Sequence, residues 1–136
     1  MQIKAKKSLG QNFLIDKNII NKIVAVANIQ PNDNILEIGP GTGNLTESIL
    51  NKKPKKIFVI EKDERLVNLL SERFKNQITI INEDILKISE HSISNDELIV
   101  FGNLPYNIST QILAKWIISD YNKKWYKSLI LMFQKE

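Results

Sequence analysis

Glu37-Ile38-Gly39-Pro40-Gly41-Thr42-Gly43 follows directly on Asn34-Ile35-Leu36, and its reading decides the fold. Asn34–Ile38 is a short apolar run that reads as a buried strand. Asn44–Asn51, with Leu45, Ile49 and Leu50 on one side, reads as a helix. A strand, a glycine turn and a helix in succession open a parallel α/β unit. The glycines let the backbone turn sharply and let a ligand approach with no Cβ in the way.

Outward from this turn the same alternation recurs. Asn18–Ile29 carries a helical apolar stripe. Lys56–Ile60 is a second strand, ending at Glu61, and Asp63 opens a helix with Leu66, Leu69, Leu70 and Phe74 inward. Gln77–Ile81 is a third strand, followed by Asn82-Glu83-Asp84. Leu98–Phe101 is a fourth, followed by Gly102-Asn103-Leu104-Pro105-Tyr106. Ser109 opens a helix through Ile112, Leu113, Trp116 and Ile117, and Leu129–Phe133 is a fifth strand. The expected fold class is α/β, Rossmann-like, with a predominantly parallel sheet. Each acidic or glycine-rich cluster is expected just after a strand, where ligands of open α/β sheets bind.

The glycine spacing bears on the ligand. The dinucleotide fingerprint, Gly-x-Gly-x-x-Gly, brings a pyrophosphate onto a helix N-terminus. Here Gly39, Gly41 and Gly43 are spaced Gly-x-Gly-x-Gly, and Glu37 stands two residues before the first. An acid there repels a phosphate and suits a cation. S-adenosylmethionine, with an ammonium, a sulfonium and no phosphate, is the expected cofactor. Glu61 follows Gly39 by about the 20-residue interval of a ribose-binding carboxylate. Asp84 is placed to accept from the amino group of the cofactor's adenine. Singly, each residue has a plainer reading: a tight turn, a solvated loop or a helix cap. Together, at successive strand ends, they point to one crevice.

Asn103-Leu104-Pro105-Tyr106 is the second signal. As a turn it is ordinary. As a site it uses all four residues. Adenine N6 is a poor nucleophile because its lone pair is delocalised, and methyl transfer requires that nitrogen to become tetrahedral. The Asn103 side-chain oxygen and a main-chain carbonyl, that of Leu104, accept its two N–H bonds and favour the pyramidal form. Pro105 stiffens the segment and removes a competing donor. Tyr106 offers a flat face on which the base stacks.

Composition narrows the field. There is no cysteine and the single histidine is His91, read as a surface residue, so no metal site is expected. No apolar run reaches the roughly 18 residues of a membrane span, and no signal peptide is legible. The net charge is +4, and lysines cluster at Lys4, Lys6 and Lys7, at Lys52, Lys53, Lys55 and Lys56, and at Lys123, Lys124 and Lys127. Any one cluster reads as a solvated loop. Three on one small domain make a polyanionic partner plausible.

These residues carry a resemblance. The chain resembles the ribosomal RNA adenine N6,N6-dimethyltransferases of the small-subunit, kasugamycin-resistance type, to which the erythromycin-resistance methylases are related. The likeness runs from Lys7 to Glu136. Its most specific pieces are Ser8-Leu9-Gly10-Gln11-Asn12-Phe13-Leu14, Glu37 through Gly43, and Gly102 through Tyr106; the closing Phe133-Gln134-Lys135-Glu136 also fits. The resemblance implies a lid over the cofactor from about residues 1–16, with Gln11, Asn12 and Leu14 in it. It implies Gly39 at the methionine end, Glu61 at the ribose, Asp84 and Ile85 at the adenine, and Asn103 against both cofactor and target. It further implies a cytoplasmic enzyme, monomeric when complete, that dimethylates two adjacent adenosines in a hairpin loop of small-subunit RNA during ribosome biogenesis. A loop suits the chemistry, since unstacked bases are accessible. Family members continue through two more strands and a small helical domain, so the expectation is one methyltransferase domain over residues 1–136, incomplete at its C-terminus.

Three other readings stand beside it. A nicotinamide-dependent dehydrogenase is suggested by the glycines and Glu61 and disfavoured by their spacing. A large-subunit or DNA adenine methylase shares the chemistry, although Asn103, where many DNA enzymes have Asp, leans toward RNA. A non-catalytic RNA-binding assembly factor would need only the lysines.

Overall fold

The computed structural model describes residues 14–119 and 124–133. In chain order the elements are α1 (Lys17–Ala27), β1 (Asn34–Ile38), α2 (Asn44–Leu50), β2 (Lys56–Ile60), α3 (Glu64–Phe74), β3 (Thr79–Ile81), β4 (Leu98–Leu104), α4 (Tyr106–Ser119) and β5 (Tyr126–Phe133). The sheet order is β3-β2-β1-β4-β5, and every adjacent pair is parallel. The chain winds outward from β1 to β3, then crosses back to β4 on the other side of β1. That reversal opens a crevice between β1 and β4 at their carboxyl ends.

Helices on both faces explain why all five residues of β1 are buried. Ile35 packs toward α1, α2 and α3 with Val24, Ile49 and Leu70. Leu36 and Ile38 pack on the opposite face with Ile112 and Trp116 of α4. Trp116 meets Trp125 edge to face, centroids 5.1 Å apart. Each such side chain contributes roughly 1.5–3 kcal/mol.

Local chemistry sets the boundaries. Asp16 caps α1 by accepting from the Asn18 and Ile19 N–H groups, and Asn28 in a left-handed conformation ends it, short of the expected Ile29. Asp63 caps α3 as expected. β3 begins at Thr79 rather than Gln77, because Lys75–Gln77 forms a 3-10 turn behind α3.

The larger correction concerns Gly102, Asn103 and Leu104. They are strand, not post-strand loop: each pairs with β5, opposite Leu131, Met132 and Phe133. β5 correspondingly begins at Tyr126, not Leu129. α4 starts at Tyr106, with the Ser109 N–H donating to the Pro105 carbonyl, so Ser109 lies inside the helix rather than opening it. Among the described residues, no helix is long and apolar enough to cross a membrane.

Candidate cofactor and methyl-transfer site

The strand register assembles the site. Ile38 is opposite Ile60 on one side and Gly102 on the other, and Ile60 is opposite Ile81. The next residues along β1, β2 and β4 are Gly39, Glu61 and Asn103, which therefore emerge side by side. The Gly39 N–H donates to the Ile60 carbonyl and the Glu61 N–H to the Ile81 carbonyl, each at 3.0 Å. Asn82, just beyond β3, donates its side-chain amide to the Glu61 carbonyl at 2.9 Å.

Gly39 faces the end of β4. A Cβ there would lie 3.0 Å from Leu104 Cδ2 and 3.7 Å from the Asn103 carbonyl oxygen, and φ is +67°. Both the space and the left-handed backbone call for glycine. The glycine turn and the Asn103–Leu104 strand end are thus in contact across the switch point. Gly41 and Gly43 also have positive φ.

The acids occupy three different environments. Glu37 is 2% exposed and lies beneath the glycine turn, within the sheet layer. Its carboxylate accepts from the Thr46 hydroxyl at the start of α2. Burial pushes its pKa up to about 7, opposed by the Thr46 hydrogen bond and aided by the nearby Glu61 charge. Glu37 thus ties the end of β1 to α2 from a buried position.

Glu61 is buried at the end of β2, and its Oε2 accepts from the Asp63 N–H at 2.9 Å. Burial raises its pKa; backbone N–H groups of Asp63, Lys62 and Gly41 oppose that rise, while the Asp63 charge adds to it. Through Gly41 this carboxylate is tied to the glycine turn. A carboxylate has about four acceptor sites, so beside these three N–H groups it can accept from a further donor.

Asp84 is half-buried. Its Oδ1 caps the 3-10 turn Ile85–Lys87 by accepting from the Leu86 N–H at 3.0 Å, and its Oδ2 lies 3.7 Å from Lys62 Nζ. Capping, the plainer reading, is thus real, and the second oxygen keeps room to accept. Ile85 is buried on the α4 side of the sheet.

At the end of β4, the Ser109 hydroxyl donates to the Leu104 carbonyl at 3.4 Å, leaving that oxygen a second lone pair. Pro105 is half-buried between strand and helix. Gln11, Asn12 and the ring of Tyr106 lie outside the described residues. Leu14 is half-buried against the α1–α2 core, and its carbonyl accepts from the Asn44 side chain at 3.1 Å, just behind the glycine turn.

Several supporting residues were not singled out from sequence. Arg73 of α3 donates to the Thr42 carbonyl and to Glu47 Oε2, each at 2.7 Å, gripping the turn from behind. Thr46 and Ser109 look like ordinary first-turn hydroxyls, and only tertiary packing shows what they hold. The lysines sit elsewhere: Lys52, Lys53, Lys55 and Lys56 are exposed where the chain enters β2, at the amino ends of the strands, opposite the carboxyl-end crevice. Lys127 pairs with Asp33 at 3.2 Å at that same end of the strands. Lys4, Lys6, Lys7 and Lys123 lie outside the described residues.

The family profile of the ribosomal RNA adenine dimethylases matches residues 2–136. The chain belongs to that family. It is 61% identical over 136 residues to the ribosomal RNA small subunit methyltransferase A of Pelagibacter ubique, covering all of this chain and 52% of that protein. It is 46% identical to the protein of the same name from Wolbachia pipientis, covering 98% and 47%. This dimethylase-family chain thus spans about half the length of the relatives it matches. Among solved structures, the Plasmodium falciparum dimethyladenosine transferase superposes with a TM-score of 0.77 at 31% identity, over 91% of this chain and 44% of that one. The 23S rRNA methyltransferase ErmE superposes at 0.76 with 26% identity, over 90% and 48%. The fold is the Rossmann-like fold of the S-adenosylmethionine-dependent methyltransferases.

Proposed function

We propose that this chain carries the cofactor and catalytic site of a small-subunit ribosomal RNA adenine N6,N6-dimethyltransferase. The contact of Gly39 with Asn103 and Leu104 across the β1–β4 switch point supports the reading most directly, because methyl donor and acceptor must meet there.

The residues fit S-adenosylmethionine. Gly39 puts no side chain between the turn and the end of β4, Glu61 offers an acceptor for the ribose, and Asp84 offers an acceptor for the adenine amino group. The cofactor supplies a methyl group on a cationic sulfur, and its transfer to N6 leaves a neutral thioether. The chain's part is to hold the target. The Asn103 side-chain oxygen and the Leu104 carbonyl accept the two N6 hydrogens, aiming the nitrogen lone pair and favouring its tetrahedral form. Ser109 fixes the Leu104 carbonyl, and Tyr106 stacks on the base. No strong base is required, because the methylated nitrogen is cationic and gives its proton to solvent.

We place the target in the small-subunit RNA, as two adjacent adenosines of a hairpin loop, each modified twice in the cytoplasm. The small-subunit name of the relative at 61% identity, against 26% to the 23S enzyme, favours this choice over a large-subunit target. The test is methyl transfer from labelled S-adenosylmethionine to under-methylated small subunits, followed by digestion to nucleosides. Labelled N6,N6-dimethyladenosine is expected. Label found only in cytidine would refute the reading.

A further inference from the structure

The stretch between β3 and β4 has little regular structure to hold it. It contains two single 3-10 turns, Ile85–Lys87 and Glu90–Ser92. Yet near its start it carries Asp84 and Ile85, the residues assigned above to the adenine end of the pocket.

One side chain of α4 fastens this stretch. Lys115 Nζ donates to the Ile85 carbonyl at 2.9 Å, to the Ile88 carbonyl, and to Glu90 Oε1 at 2.7 Å. An ammonium has three donors, and three acceptors from one short segment take them. The neighbouring Trp116 donates its indole N–H to the same Glu90 oxygen at 2.8 Å. Glu90 is only 3% exposed, so the knot is largely desolvated. A buried ion pair is a poor source of net stability, because desolvation offsets the attraction. What three directed bonds supply is position. They fix the segment against the helix that starts at Tyr106.

We infer that Lys115 is a positioning residue for the adenine end of the cofactor pocket: through the Ile85 and Ile88 carbonyls and Glu90 it sets where Asp84 can accept from the adenine amino group. The inference rests on the function proposed above. It gives α4 two tasks, since its first turn borders the target and its third turn holds the cofactor loop.

The test is isothermal titration of the full chain with S-adenosylhomocysteine and with S-inosylhomocysteine, in which a ring carbonyl replaces the amino group. An acceptor facing a carbonyl is left unpaired and repelled, so wild type is expected to prefer the adenosyl compound by about tenfold or more. Lys115→Met leaves the Glu90 charge buried without its cation, with only the Trp116 N–H on it, so the paired variant Lys115→Met/Glu90→Gln is measured as well, with its thermal unfolding. The expected result for the folded paired variant is collapse of the preference to about threefold or less, through weaker adenosyl binding. A variant that is less stable but keeps the full preference overturns the inference and leaves the proposed function standing. A wild type that binds neither compound overturns both.

Discussion

The ring of Phe74, at the end of α3, fills the space that a side chain on Gly43 would need. A Cβ there would lie 2.5 Å from Phe74 Cε2 and 3.1 Å from Leu70 Cδ2, and Gly43 has φ +96°. The third glycine of the turn is thus accounted for by helix packing and backbone shape before any ligand is considered. Gly43→Ala is expected to cost about 2–4 kcal/mol, combining overpacking with left-handed strain. Urea unfolding checks this. In a Phe74→Leu background the cost of the same change shrinks, and a double-mutant cycle reads the coupling.

Glu37 makes stability depend on pH. Its carboxyl titrates at about 7 in the folded chain against 4.5 ordinarily, chiefly through burial. The folded state therefore binds the proton more readily than the unfolded state. This favours folding fully below about pH 4.5, and the benefit is lost as pH rises through 7. The loss is on the order of 1–3 kcal/mol. Glu61, also raised, acts in the same sense. Glu37→Gln keeps an acceptor for Thr46 and is expected to flatten the fall, with urea midpoints at pH 5 and pH 8 as the measurement. An unchanged slope in the variant would assign the effect to another group.

The role proposed for Asn103 lies in its side chain, while its backbone belongs to β4. Its main chain pairs opposite Met132 in β5, which Asn103→Ala leaves intact. The variant is expected to fold normally and to lose about 10²–10³-fold in kcat for methyl transfer. Steady-state kinetics with circular dichroism separate this from unfolding. A variant within a few-fold of wild type would remove Asn103 from the chemistry.

Much of the fold was legible because local patterns and tertiary demands agree. The apolar run before Gly39 and the stripe of Leu66, Leu70 and Phe74 are both buried as their spacing predicts. Strand pairing overrides local preference at the end of β4. Gly102, Asn103 and Pro105 look like a turn, but hydrogen bonding to β5 carries the strand through Leu104. Pro105 then precedes the helix, a place its fixed φ and missing N–H suit. The glycines, Glu61, Asp84 and Asn103 fall at or just beyond successive strand ends, as their place in the sequence predicts. That Glu37 lies beneath the crevice was not legible, since an acid in a strand gives no sign of which way it is buried. Glu90 and Lys115 were invisible for a similar reason: each looks like a solvated charge, and only the packing of α4 on the β3–β4 stretch brings them together.

The claim on which the rest depends is that the β1–β4 crevice holds a sulfonium cofactor over Gly39. Calorimetric titration of the chain with S-adenosylmethionine and, separately, with NAD tests it most directly, repeated on Gly39→Ala. One S-adenosylmethionine per chain is expected, with no NAD binding and with affinity lowered about tenfold or more in Gly39→Ala. Binding of NAD in place of S-adenosylmethionine, or S-adenosylmethionine affinity unchanged in Gly39→Ala, would contradict it.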